Sequence, residues 1–285
     1  MNYKAMMAIS LLCVVTAFPA YLQASELNRI RDAIQNQKKL QESIELNAVY
    51  SIQVDEKGNT GLVLDMCVLS QGNDIYFSIY KSEKDAYQEI VAVHNGERTI
   101  YSPDGMMATV DKESFSFARS WDLPIPSMAR VWDGYLFERI TKDQLGLDGK
   151  TQVVDGIECR VLTGKNGNLV YTVYVSEKLG YMPVLIEEFA PSKNTVIARK
   201  RFEGYSELKP GLFYPNKIII EAFDQNSKFL IRNTSEIKDI KINEPISDSR
   251  FQIAFPDGAQ IYDGEKRYEI KEGEKMPIFP KEPRQ

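Results

Sequence analysis

Apolar and polar residues alternate with a period of two along most of this chain, which is the pattern of half-buried β-strands. Between these runs stand Asn-Gly and Asp-Gly dipeptides, which supply the positive φ angles of tight turns. Strands do not alternate with helices, so the pattern predicts an antiparallel meander. The runs expected to form strands include residues 74–80, 87–94, 98–102, 106–110, 168–175 and 195–202.

Two segments carry the helical period instead. Residues 25–46 begin with Ser25 as a candidate N-cap and show a narrow apolar stripe, so we expect a helix that lies on a surface. Residues 126–140 have a broad apolar face that includes Trp132 and Leu136, and we expect this inserted helix to pack on the sheet. The stripe of the first helix consists of Leu27, Ile30, Ile34, Leu40 and Ile44.

Composition divides the chain into three parts. At the start, Lys4 is followed by a run of about 14 apolar residues, the pattern of a secretory signal peptide cleaved after Ala24 or Ala17. The alternative is a retained membrane anchor, although the run is shorter than a spanning helix needs. The expected parts are the signal peptide at 1–24, one domain at 25–263 with a polar connection at 141–152, and a polar tail at 264–285.

The charge balance excludes one class of partner. Without Lys4 the chain carries 34 Lys and Arg against 40 Asp and Glu, a formal net charge of −6 (35 − 1 − 40). We expect no nucleic-acid partner, because nucleic-acid binding requires a basic surface. The short basic run at residues 198–202 alternates within a strand and is interpreted as a solvated strand face.

Cys67 and Cys159 remain after the expected cleavage, and they fit no CxxC or zinc-ligand spacing. In an oxidising compartment they either form one disulfide, closing a loop of about 93 residues, or stay two separate buried thiols.

The sequence shows no pattern of catalytic or metal-binding residues. His94 is the only histidine and precedes an Asn-Gly turn, with no second ligand at metal-binding spacing. Glu187 and Glu188 are adjacent in a strand, so they point to opposite faces and do not flank one bond. We therefore expect no enzyme activity, no cofactor and no metal site.

Several expected strands are apolar on both faces. In the segment GLFYPNKIII, residues 211–220, Ile218 and Ile220 face one side while Phe213 and Ile219 face the other. A curved sheet whose concave side exceeds what its helices fill leaves an apolar cavity for a ligand. The alternative is a filled core with aromatic residues scattered outside.

Three stretches, residues 94–105, 156–189 and 211–263, resemble the outer-membrane lipoprotein-sorting family and its relatives, the LolA-, LolB- and RseB-like unclosed barrels. The likeness lies in an aromatic strand between two turns, a hairpin followed by Gly-Tyr-Met-Pro, and a closing Pro-Asn-Lys strand. This resemblance implies a mainly β (α+β) fold. An antiparallel meander would curl into an unclosed half-barrel, with an N-terminal helix and an inserted helix plugging the concave face.

The resemblance implies a periplasmic, non-enzymatic carrier that holds the acyl chains of a lipid or lipoprotein in the half-barrel. The alternative function is an envelope sensor with a packed interior, which binds a protein partner through the aromatic stretch at residues 114–126. The side chains expected to line the ligand site are Phe77, Ile79, Trp132, Leu136, Tyr171, Val173, Met182, Val184, Ile218 and Ile220.

Overall fold

The computed structural model describes residues 24–37, 42–55, 60–72, 74–81, 86–111 and 145–278. The expected inserted helix with Trp132 and Leu136, the aromatic stretch at 114–126 and residues 1–23 lie outside this part of the chain. Residues 24–37 form a helix, α1, and short 3₁₀ turns cover Glu177–Leu179, Pro191–Lys193 and Asp248–Phe251. The strands are β1 (Ser43–Gln53), β2 (Thr60–Gln71), β3 (Asp74–Lys81), β4 (Ala86–His94), β5 (Glu97–Ser102), β6 (Met107–Asp111), β7 (Leu145–Val154), β8 (Ile157–Asn166), β9 (Leu169–Ser176), β10 (Met182–Ala190), β11 (Thr195–Lys209), β12 (Leu212–Phe223), β13 (Phe229–Ile242), β14 (Gln260–Asp263), β15 (Lys266–Lys271) and β16 (Glu274–Pro277).

These strands form one 16-stranded sheet in the order β16-β15-β14-β6-β5-β4-β3-β2-β1-β13-β12-β11-β10-β9-β8-β7. β16 and β7 stand at opposite ends of this order, so the described sheet is not closed into a barrel. Its hairpins are antiparallel, while β14 runs parallel to β6 because the chain returns there from the middle of the sheet. The predicted antiparallel, unclosed half-barrel with an N-terminal helix is confirmed.

Helix α1 packs one apolar stripe on the sheet. Ile30 and Ile34 lie one helical turn apart and are fully buried in the largest core cluster, because residues four apart share a helix face. We call the sheet face that packs against α1 the concave face and the opposite side the convex face. Ion pairs between Arg29 and Glu177 and between Arg160 and Glu26 hold the borders of α1. No helix within the described ranges is long and apolar enough to span a membrane.

The helix expected over residues 25–46 is shorter than predicted. α1 is described over residues 24–37, Leu40 lies outside the described residues, and Ile44 belongs to β1. The alternation of Ile44, Leu46 and Ala48 gives this segment an apolar strand face, and β1 pairs with β2 and β13 on both sides. Hydrogen bonds to both neighbouring strands therefore stabilise the extended conformation of this segment. The apolar positions of a helix over the same residues would not stay on one face, so a helix is less favourable here.

The C-terminal segment covers the convex face of β2 to β6. Phe251 is buried against Leu69 and Ile246, and Leu69 faces away from its concave neighbour Val68. A second cluster on the same side joins Ile90, Tyr101 and Ala108 to Ala259, Ile261 and Ile270. The strands of this half are therefore apolar on both faces because protein covers both faces.

An ion pair fixes this C-terminal segment to β1. Arg250 donates from both terminal guanidinium nitrogens to the Glu45 carboxylate, at 2.7 and 3.1 Å, and Lys241 lies 3.7 Å from it. The hydrogen bond from Arg250 lowers the pKa of Glu45, opposed by burial and reinforced by the charges of Arg250 and Lys241. The charged form of Glu45 is therefore favoured in the folded protein.

We expect Glu45→Gln to lower the free energy of unfolding by about 1 kcal/mol at pH 7, the scale of partly exposed ion pairs. A folded-state pKa below the unfolded value stabilises the protein above the unfolded pKa, and this contribution disappears as pH falls through the folded value. Urea unfolding at neutral and strongly acidic pH measures the difference, with exposed Glu244→Gln as the control. If Glu45→Gln is less stable than the parent protein by the same amount at acidic and neutral pH, the stabilisation does not come from the charged Glu45 carboxylate.

The convex face of the other half carries charges. Arg199 donates to Glu187 at 2.8 Å, Arg232 donates to Glu221 at 2.9 Å, and Arg199 stands opposite Glu221 in the ladder. This alternation of sign across β10 to β13 leaves a polar outer surface. Ile219 lies among these side chains and is only half-buried.

Two segments that were expected to lack regular structure form strands. Residues 145–152, expected within the polar connection at 141–152, belong to β7, where Leu145 is buried and Leu147 packs beside it on the concave core. A register shift after Leu147 accommodates the polar residues that follow. The expected tail at 264–285 includes β15 and β16, because Ile270 is buried and Tyr268 packs beside it.

Cys67 and Cys159 do not form a disulfide in this structure. β2 and β8 occupy the eighth and fifteenth positions of the strand order, whereas a disulfide requires Cα atoms within about 7 Å. Burial raises the pKa of both thiols, that of Cys159 to about 11. The alternative of two separate thiols is the one the structure shows.

Candidate apolar binding face

Two parallel rows of side chains cross the concave face from β11 to β2. Residues directly opposite in neighbouring strands lie on the same face, so the strand registers define both rows. The inner row runs through Phe202, Ile218, Ser235, Tyr50 and Leu64. The outer row lies two residues away along each strand, on the same face. It runs through Lys200, Ile220, Asn233, Ile52 and Leu62.

The two rows differ in burial. Every inner-row side chain is buried, and Ile218 is 0% exposed. In the outer row, Ile220, Ile52 and Leu62 pack against the core on one side but remain half-buried. The apolar wall therefore continues beyond the part that the protein itself covers completely.

The expected lining residues occupy three environments. One group lies buried in the concave core, and Val173 and Met182 are 0% exposed there. Ile220 is half-buried in the outer row, and Val184 is buried at a register shift between Pro183 and Leu185. Trp132 and Leu136 lie outside the described residues. The buried group consists of Phe77, Ile79, Tyr171, Val173, Met182 and Ile218.

Lys200 lies on the concave face, where the sequence did not place it. The run 198–202 was interpreted as a solvated strand face, and Arg199 and Arg201 do pair outward with Glu187 and Asp155. Lys200 instead stands between Ile186 and Ile220 on the concave face. It is only 9% exposed, and its Nζ lies 5.4 Å from the centre of the Phe202 ring. Its spacing of two from Phe202 is the signal that places it on the apolar face.

Three further polar groups lie beside Lys200 in the two rows. The Tyr50 hydroxyl donates to Asn233 Oδ1 at 3.1 Å, and burial raises the pKa of Tyr50, which keeps the phenol neutral. Ser235 is fully buried, and its Oγ has no hydrogen-bond partner among the residues that the structure describes. The apolar wall is thus interrupted by donor groups at one place.

No protein-family model matches this chain, and no curated protein matches its sequence. Solved structures do share its architecture. A DUF1329 family protein from Desulfovibrio piger is 15% identical, with a TM-score of 0.53 over 79% of this chain and 97% of that one. A LolA superfamily protein from Nitrosomonas europaea is 13% identical, with a TM-score of 0.50 over 79% of this chain and 98% of that one.

A domain from Vibrio parahaemolyticus, named for outer membrane lipoprotein sorting, is 12% identical. Its TM-score is 0.52 over 78% of this chain and 95% of that one. The chain has the LolA-like fold. The predicted resemblance is confirmed at the level of architecture, and at these identities fold and activity are separate questions.

Within the LolA-like fold, the two adjacent acids face opposite sides as predicted. Glu187 pairs with Arg199 outside, whereas Glu188 stands opposite Tyr171 and Ala198 on the concave face. Glu89 is a second concave acid, opposite Ile79, and burial raises its pKa. Both acids lie on the wall but outside the two rows.

The described residues show no group of three or more His, Cys, Asp or Glu side chains that could hold a metal ion. The ring of His94 stacks on Phe251 at 6.3 Å and lies 3.4 Å from the carboxylate of Asp74. These contacts hold the turn after β4 against the C-terminal segment. His94 therefore has a structural role in the LolA-like fold.

Proposed function

We propose that the concave face binds the acyl chain of a lipid or lipoprotein and that the protein is a non-enzymatic carrier or binder in the periplasm. The observation that carries this proposal is the outer row, where Ile220, Ile52 and Leu62 extend a buried apolar wall but remain half-buried. Isolated exposed apolar residues are common, but half-buried aliphatic side chains on three strands of one concave face are typical of ligand sites.

The energetics are adequate for such a ligand. Each buried methylene contributes about 0.8 kcal/mol, so the roughly 15 methylenes of a long acyl chain contribute about 12 kcal/mol, and an association cost of about 4 kcal/mol leaves about 8 kcal/mol. Micromolar retention requires about 8 kcal/mol, so one long chain provides the right scale. The name of the Vibrio parahaemolyticus neighbour, which refers to lipoprotein sorting, agrees with this ligand class.

The periplasmic location rests on the expected signal peptide at residues 1–24. Under this proposal the apolar ligand crosses an aqueous compartment while the concave face shields its chain from water. The ligand needs no covalent change, so the proposal requires no catalytic group.

Native mass spectrometry of the mature protein purified without detergent tests this function. We expect a fraction of molecules to carry a mass increment of one acylated lipid, released by organic extraction. A matched sample unfolded in denaturant, stripped and refolded should regain the increment from lipid vesicles. Protein that neither retains nor regains any acylated molecule contradicts the carrier function.

A second candidate is an envelope sensor or interaction module that binds a protein partner. The observation that favours it is the complete burial of most expected lining residues, Val173 and Met182 among them, which describes a packed interior. Consistent absence of lipid, together with a partner that co-purifies in stable stoichiometry, supports this module over the carrier.

A further inference from the structure

Four polar side chains are concentrated where the inner and outer rows cross β11, β13 and β1. Ser235 and Tyr50 are directly opposite in the inner row, and Asn233 and Lys200 flank Ile220 in the outer row. Each carries at least one N–H or O–H donor: two hydroxyls, a carboxamide and an ammonium. We call this group the donor patch.

Ser235 is the member of the donor patch whose hydroxyl has no acceptor among the described residues. Its Oγ is completely buried between Tyr50 and Ile218, and no described group accepts its proton. Nearly all buried hydroxyls in proteins have a hydrogen-bond partner, because leaving one unpaired is destabilising. An acceptor supplied by a bound molecule would satisfy this hydroxyl.

The charge around the donor patch favours a neutral acceptor over an anion. Glu188 stands diagonally from Lys200 on the same face, a spacing that long side chains reach, so one negative charge accompanies the ammonium. Arg199 and Arg201 point to the convex side and add no positive charge here. A donor-rich site with little net charge is suited to a carbonyl dipole.

We propose that Lys200, Asn233 and Ser235 bind the ester or amide carbonyl at the head of an acyl chain, while the Tyr50 hydroxyl holds the Asn233 side chain in place. This inference rests on the proposed function and specifies which part of the ligand the wall recognises. The first methylenes follow the carbonyl directly and would lie on the half-buried aliphatic side chains of the outer row. One strand, β12, separates β11 from β13, so the two strands lie about 10 Å apart. Lys200 and Asn233 can therefore donate to separate carbonyls of a diacyl molecule.

A pair of phosphatidylglycerols tests the proposal, one with ester-linked and one with ether-linked chains of the same length. Ether linkage removes the carbonyls and keeps the headgroup and chains. We expect the mature protein to bind the diester about five- to tenfold more tightly, the effect of one or two hydrogen bonds. Displacement of a fluorescent fatty acid from the protein measures both affinities.

The variants Ser235→Ala and Lys200→Met should reduce the preference for the diester and leave ether-lipid affinity unchanged. Ser235→Ala removes a hydroxyl without a partner, so it remains informative even if Lys200→Met fails to fold. Thr234→Ala, on the opposite face of the same strand, is the control and should keep the full preference.

Equal affinity of the wild-type protein for the diester and the diether overturns the carbonyl assignment. The assignment also fails if Lys200→Met weakens the diester and the diether phosphatidylglycerol equally, because the headgroup phosphate that both lipids share is then the partner. Failure of every lipid to bind contradicts the proposed function itself, so the two failures are distinguishable.

Discussion

Ile220→Asn is expected to lower acyl-lipid affinity about tenfold or more. Burial of an isoleucine side chain contributes about 2 kcal/mol, and a carboxamide in the same place brings polar groups that the chain leaves unpaired. Asparagine is preferred to aspartate because Lys200 stands directly opposite Ile220 and would pair with a new carboxylate. Titration with a fluorescent fatty acid and displacement by unlabelled lipid measure the loss.

Ile219→Asn is the matched control for this change. It makes the same substitution one residue earlier, on the convex face between Arg201 and Thr234, and should leave affinity within about twofold. Leu62→Asn and its convex neighbour Val63→Asn repeat the comparison on β2. Equal losses for the concave and convex members of both pairs would contradict a binding site on the concave face.

Ile34→Asp is expected to produce the largest loss of stability. Ile34 is fully buried between α1 and the sheet, and truncation of a buried isoleucine alone costs about 2–5 kcal/mol. A carboxylate at this position would also be buried without an ion-pair partner. Either α1 should therefore detach from the sheet, or the free energy of unfolding should fall by about 3 kcal/mol or more. A fall in Tm of about 6–12 °C is expected for a protein of this size.

Asn36→Asp adds the same charge at an exposed position of the same helix and provides the control. Its Tm should stay within about 2 °C of the parent protein, the usual range for surface substitutions. Thermal unfolding followed by circular dichroism compares the two variants, and limited proteolysis reports whether residues 24–37 become accessible. Indistinguishable melting curves for both variants would show that α1 does not contribute to the core.

The strands of this fold are predictable because their pattern is local. Alternation places β3, β4, β5 and β9 almost as the structure has them, and Asn-Gly or Asp-Gly pairs mark the turns between several of them. The same alternation correctly separates Glu187 from Glu188 and Ile219 from Ile220. Alternation of apolar and polar residues involves only residues that are adjacent in the chain, so it can be recognised in a single sequence.

Features that depend on distant residues were not predictable. Ile44 continues a helical stripe as well as a strand face, and only its pairing between β2 and β13 decides between them. Cys67 and Cys159 are compatible with a disulfide until the strand order separates them. Phe251 covers Leu69 on the convex face although the two residues are far apart in sequence. No local sequence pattern predicts this contact.

Alternation predicts which apolar side chains share a strand face, and it does not predict the polar groups among them. Alternation places Ile218 and Ile220 on one shared strand face, and the structure has both on the concave side. Alternation does not state which face of the 198–202 run is buried, so Lys200 was assigned to the solvent with its arginine neighbours. Ser235 and Asn233 give no signal either, since serine and asparagine are ordinary on a solvated strand.

Photoaffinity labelling with an acyl chain that carries a diazirine a few carbons from its carbonyl tests the central claim most directly. After illumination of the protein–lipid complex, mass spectrometry of the peptides locates each covalent adduct. We predict adducts on the outer-row aliphatic residues of β1, β2 and β12, competed away by unlabelled lipid. Adducts restricted to the convex face or the sheet edges, or labelling that excess lipid does not reduce, would contradict the account.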